Sequence, residues 1–159
     1  MRVRIVVADR SEARFYDVLH ANAQLQLAGQ LTDSQARLHE RDFKSDRPGR
    51  VFDRAPSGGR RGAVAHHATG GERRPLQHEA EVFAQRIAGE LERSMHDHAF
   101  ERVVLMAEPG FMGQLRGVMP KSLLKTVVQQ VNKDLVRQDE QTILGHVSAE
   151  AFEPPMRYR

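Results

Sequence analysis

The chain opens on a stretch in which apolar residues fall at consecutive positions, Val3-Arg4-Ile5-Val6-Val7-Ala8. Apolar side chains on both parities predict a strand covered on both faces, and so one in the middle of a sheet. Asp9-Arg10-Ser11-Glu12 reads as a turn, and Ala13 to Leu19 carries a second strand signal, which together make a hairpin. Between Gln24 and Thr32, Leu25, Leu27 and Leu31 alternate with polar residues, the pattern of a half-exposed third strand extending a meander.

From Asp33 to Arg74 the rhythm is lost, and Pro48, Gly49, Pro56, Gly58, Gly59, Gly62, Gly70 and Gly71 punctuate the stretch. This predicts a long loop over 33–74, a length that is functional or disordered in most compact domains. The part from Pro56 to Arg74 is expected to order only with a partner. Helical spacing returns at Pro75, a suitable first helical residue, and Leu76, Ala80, Phe83, Ala84, Ile87, Leu91 and Met95 continue it to about His98. Arg102 to Ala107 reads as another buried strand. Phe111, Leu115 and Val118 predict a short helix stopped by Pro120, with a further turn through Leu124. Val127, Val128 and Val131 fit a last strand or a helix continuing from Ser122. Glu140 to Glu150 looks helical, with Ile143 and Val147 inward. The expected fold is α/β: a mixed sheet of about five strands flanked by helices, with the loop before the longest helix. It is read as one domain over 1–153 and a tail over 154–159.

Composition agrees with this reading. A chain of 159 residues, 40% hydrophobic, supports one core. No apolar run is long enough for a signal peptide or a membrane span, which predicts a cytoplasmic protein with no membrane partner. There is no cysteine, and so no disulfide framework. The net charge of +3 is unevenly spread: Arg37 to Arg74 holds ten Arg/Lys against five acids, a local +5 that leaves −2 for the rest. Nine of those ten cations are arginines, whose planar fork grips phosphate or carboxylate bidentately.

Two runs carry the candidate chemistry. From Ala36 to Arg54 acids and bases alternate, so the charge there either pairs internally or faces a partner. Ser57-Gly58-Gly59-Arg60-Arg61-Gly62 and Gly70-Gly71-Glu72-Arg73-Arg74 combine close backbone approach with phosphate-neutralising side chains ahead of a helix start. No Gly-Lys-Ser/Thr follows these glycines and no dinucleotide fingerprint follows a strand, so no cofactor is expected. His39, His66, His67, His78, His96 and His98 lack metal-ligand spacing, so no metal site is expected. No serine sits in a Gly-x-Ser-x-Gly elbow. Asp9 lies at the end of the central strand, where open α/β sheets often place function, and a turn-forming role is the simpler account of it.

The Val-Val-Ala-Asp strand with Ala13-Arg14-Phe15-Tyr16 is joined by the run Arg37-Leu38-His39-Glu40-Arg41-Asp42, by Ser45-Asp46-Arg47-Pro48-Gly49-Arg50 with Phe52-Asp53, and by Val131-Asn132-Lys133-Asp134-Leu135. Together these resemble the bacterial host attachment protein family over nearly the whole chain. That family is similar in turn to the middle domain of archaeo-eukaryotic peptide-chain release factors. The resemblance implies a mixed sheet with helices and a basic, Gly-rich loop leading into a long helix. In the release factors that loop ends Gly-Gly-Gln. Here Gly70-Gly71-Glu72 takes the corresponding place, with a carboxylate where the release factors have a neutral amide.

The first expectation is therefore a non-catalytic RNA- or ribosome-associated module, in which Arg47, Arg50, Arg54, Arg60, Arg61, Arg73 and Arg74 contact phosphates and Gly70 and Gly71 allow close approach. The alternatives are a release-factor-like hydrolase of a tRNA-linked ester, with Glu72 as its base, and a protein interaction module tied indirectly to attachment. In the last, the arginines pair with an acidic partner or with a second protomer.

Overall fold

The computed structural model describes the backbone of residues 1–33 and 62–154, and the side chains of 1–33 and 76–154. Within these residues an open five-stranded mixed sheet is covered by helices. The strands are β1 (Val3–Ala8), β2 (Glu12–Val18), β3 (Gln26–Thr32), β4 (Arg102–Ala107) and β5 (Val127–Val131). The helices are α1 (Gly62–His96), α2 (Pro109–Val118), α3 (Lys121–Leu124) and α4 (Glu140–Gly145), followed by a 3-10 turn at Ala149–Phe152.

The strand order is β3-β2-β1-β4-β5. β1 pairs antiparallel with β2 and parallel with β4, and all six of its residues are buried. Its doubly apolar sequence thus marks the central strand, as the pattern predicts. Alternation splits the core in two. Val6, Ala8, Ala13, Phe15, Val103, Leu105 and Ala107 point to one face, where Ala80, Phe83, Ala84, Ile87 and Leu91 of α1 pack with Phe111, Met112 and Leu115 of α2. Val3, Ile5, Val7, Tyr16, Val18, Val104 and Met106 point to the other, covered by Leu135, Val136, Ile143 and Ala151. The one charged residue of β1 is Arg4, itself buried. It binds Asp17 of β2 through both carboxylate oxygens, at 2.9 and 3.0 Å, and lies over the Phe100 ring. A buried cation held this way keeps its charge compensated.

Three expectations are revised or resolved. Val127–Val131 is a strand, parallel to β4, and not a continuation of the preceding helix. The predicted helix over Glu140–Glu150 ends at Gly145. Beyond it the Gln129 side chain engages the chain, its Nε2 donating to the His146 carbonyl and its Oε1 accepting from the Ser148 amide, both at 2.8 Å, and the 3-10 turn follows. The largest revision concerns the loop over 33–74. The long helix starts at Gly62 and not at Pro75, so the last thirteen residues of the expected loop are helical backbone. Packing of Ala80 to Leu91 on the sheet supplies the nucleus, so residues upstream need only propagate the helix, and the Ala63, Ala65 and Ala68 run favours that. Pro75 forfeits one hydrogen bond in this helix, to the Gly71 carbonyl, which the sequence reading takes for a boundary.

Candidate functional site

Both attachment points of the basic segment lie at the carboxyl end of β1. On the first side, β3 runs to Thr32, which pairs with Glu12 at the start of β2, and the Asp33 amide donates to the Ser11 carbonyl at 2.8 Å. On the second, α1 packs Phe83 against Phe111, the fourth residue beyond the end of β4, with ring centroids 6.3 Å apart. Phe83 therefore already stands at the carboxyl edge. A helix rises about 1.5 Å per residue, so its turns before Ala80 lead away from the sheet on that side.

The turn at the root is built by Asp9. Its Oδ1 accepts from the Ser11 amide at 2.8 Å, the Ser11 hydroxyl at 3.0 Å and the Glu12 amide at 2.7 Å, while its own amide donates to the Glu12 carbonyl at 2.8 Å. This is a turn-forming carboxylate; an oxygen already accepting three bonds is poorly placed to act as a base. Beside it, Glu12 is buried and its Oε1 accepts from Arg14 Nε at 2.9 Å and Gln30 Nε2 at 2.8 Å, tying β2 to β3. Bonding to Glu12, and secondarily to Tyr16, raises the Arg14 pKa above its ordinary value.

The chain leaves β1 toward β2 on one side and leaves β4 toward β5 on the other, so a crevice opens between their carboxyl ends. Ligands of open α/β sheets commonly bind at such a point. Here the crevice is occupied by the protein's own groups. Glu108 caps α2 by accepting from the Phe111 amide at 2.9 Å, and Arg10 Nη2 stands 3.8 Å from Glu108 Oε1. Arg10 and Glu108 are 60% and 40% exposed, so their attraction is weak, and Glu108 places negative charge where an anion would approach the helix.

Of the residues expected to contact phosphate, Arg47, Arg50, Arg54, Arg60 and Arg61 lie outside the described residues, as does the whole alternating charge run from Ala36 to Arg54. Gly70, Gly71, Glu72, Arg73 and Arg74 fall within the α1 backbone. Amides inside a helix donate to carbonyls four residues back. A Gly-Gly-Glu segment there does not present the free loop tip that the release-factor resemblance implies. The helix start, with its unpaired amides, moves instead to Gly62, directly after Arg60-Arg61, and its first turn carries no acid. Sequence reasoning does not anticipate the Gln30–Glu12 bond or a bond from Arg86 to the Thr32 carbonyl, which bridge 18 and 54 residues. No local pattern announces contacts at such separations.

Among the described residues no group of three or more His, Asp and Glu could hold a metal ion. No described helix is long and apolar enough to cross a membrane. An open groove of about 750 Å³ lies at the amino edge, lined by Met1, Glu101, Arg102, Lys125, Glu150 and Glu153 among others, away from the root of the basic segment.

An open mixed sheet whose hairpin half and crossover half part at β1 and β4, with a basic insertion rooted at that edge, defines the class: an α/β scaffold carrying an arginine-rich segment between β3 and α1. The family model for proteins required for attachment to host cells matches residues 4–147, and the chain belongs to that family. No curated protein matches the chain.

Proposed function

We propose that this protein is a non-catalytic RNA-binding module that works on the ribosome or on structured RNA, with the arginines between β3 and α1 as its contact surface. The observation that carries the reading is the pairing of charge with position. A local +5 over Arg37 to Arg74 is attached at both ends to one edge of a scaffold whose remainder is −2. Arg47, Arg50, Arg54, Arg60 and Arg61 are the principal phosphate ligands, with Arg73 and Arg74 extending the set along the helix. The helix start at Gly62, with no acid in its first turn, adds unpaired amides of the polarity that phosphate favours. The module works in the cytoplasm, and the attachment phenotype in the family's name is a downstream effect of RNA binding. The resemblance to release factors supports a ribosomal partner; no described residue supports the hydrolysis those proteins perform.

The test is a salt titration of binding to ribosomes and to a structured RNA. Each phosphate neutralised adds about 0.7 to 0.9 to the slope of log affinity against log salt. Replacing Arg47, Arg50, Arg54, Arg60 and Arg61 together with Gln is expected to lower the slope by about 3.5 to 4.5 and to abolish binding near physiological salt. No binding by the wild-type protein at low salt refutes the reading. Capture of an acidic protein that survives nuclease treatment, with no RNA recovered, favours the protein-partner alternative instead.

A further inference from the structure

The basic segment leaves the scaffold after Thr32 and Asp33 and rejoins it in α1, and a described side chain hydrogen-bonds across the gap between β3 and α1. Arg86, on the exposed side of α1, sends Nη1 to the Thr32 carbonyl at 3.2 Å, while its guanidinium lies over the Phe83 ring at 5.5 Å from the centroid. Phe83 is itself fully buried and stacked on Phe111, so the platform beneath the guanidinium is fixed. Thr32 is the last residue of β3, and its neighbour Asp33 is held on the other side by the Ser11 carbonyl. We infer that Arg86 is a positioning residue that fastens the end of β3 to the body of α1, and so holds the strand from which the basic segment departs against the helix through which it returns.

The chemistry suits this role better than direct phosphate contact. A guanidinium stacked on a ring and bonded to a carbonyl has part of its donor fork already engaged, and the planar group loses less freedom per bond than a lysine. Fixing both ends of a segment reduces the number of arrangements it loses on binding, which strengthens association without adding a contact. The inference rests on the RNA-binding reading for its effect on affinity, but not for its geometry.

The test separates the two. The chain has no native cysteine, so spin labels on Thr32→Cys, exposed at the end of β3, and Val82→Cys, 39% exposed on α1, report the distance across the gap. Arg86→Ala is expected to broaden that distance distribution and to weaken RNA binding on the order of fivefold, the loss of one hydrogen bond, with the salt slope unchanged. Arg86→Lys, which keeps a cation and a donor, is expected to restore the narrow distribution. Arg93→Ala removes an arginine from the same helix away from the gap, and is expected to change neither readout. A slope lowered by about 0.7 to 0.9 with the distance unaltered makes Arg86 a phosphate ligand and overturns the inference. An unaltered distance together with unaltered affinity overturns it equally. Should the wild-type protein bind no RNA while Arg86→Ala still broadens the distance, the positioning role stands and the RNA-binding reading fails.

Discussion

At the scale of single residues, the end of α1 turns on the backbone of one histidine. His98 follows α1 with φ at 55°, the one non-glycine among the described residues with positive φ. Its amide donates to the Met95 carbonyl at 3.0 Å and the next amide, of Ala99, to Ser94 at 2.9 Å, the pair of bonds that closes a helix through a left-handed residue. Glycine adopts this conformation without the steric cost that a β-carbon brings. His98→Gly is therefore expected to raise stability by about 0.5 to 1 kcal/mol, read as a higher denaturant midpoint with an unchanged slope; a lower midpoint would show that the imidazole contributes more than its backbone costs.

Asp139 offers a pH-dependent counterpart. It caps α4, accepting from the Thr142 amide at 2.7 Å, and bonding from the Thr142 side chain and then its backbone holds its pKa below the ordinary 3.8. A carboxylate depressed on folding stabilises the folded state above its unfolded pKa, and that contribution disappears as pH falls through the folded value. Acidification below about pH 4 should therefore lower amide protection in α4 of the wild-type protein, measured relative to the intrinsic exchange rate at each pH. Asp139→Asn keeps an acceptor without a titrating charge, and its α4 exchange should lack that acid step. Equal acid sensitivity in the two proteins would assign the loss to another group.

At the scale of elements, α2 carries an anomaly of composition. Gly110, Gly113 and Gly117 all lie on its exposed side, opposite Phe111, Met112 and Leu115. A β-carbon at Gly113 would meet nothing within 4 Å, and the same holds for Gly89 in α1. Alanine in an exposed helix interior is better than glycine by about 0.5 to 1 kcal/mol. Gly113→Ala and Gly89→Ala should each raise the thermal midpoint, and additively, since the two positions lie on different helices. A decrease at either site would mean that the glycine backbone makes a close contact the free surface does not reveal.

The elements also show what periodicity can and cannot disclose. β1 and β4 are legible to the residue because both faces of each are covered, and a short run apolar on both parities between turn residues is the mark of a strand so placed. The valines of β5 are ambiguous because Val128 sits at an irregularity: Val103 pairs with Val127 and Val104 with Gln129, which disturbs simple alternation. The start of α1 escapes a local reading because glycine and proline weigh heavily in it, whereas continuation of an already nucleated helix depends on residues packed further along the chain. The candidate site is legible as charge and not as geometry. The arginine content between β3 and α1 is plain in the sequence, but the Asp9 turn, the Glu12 anchorage and the Arg86 bond arise from residues brought together only by folding.

At the scale of the whole molecule, β3 and β5 end the sheet, and neither Gln26–Thr32 nor Val127–Val131 contains a charged residue or a proline. Such borders invite a neighbouring chain to continue the ladder. Each, however, is out of step by one residue, at Ala28 on β3, where Phe15 and Tyr16 face Gly29 and Leu27, and at Val128 on β5. An incoming strand that matched the first half of either border would miss the hydrogen-bonding groups of the second half. Among the described residues it is this change of spacing, and not charge or proline within the strands, that works against filament growth at the two borders.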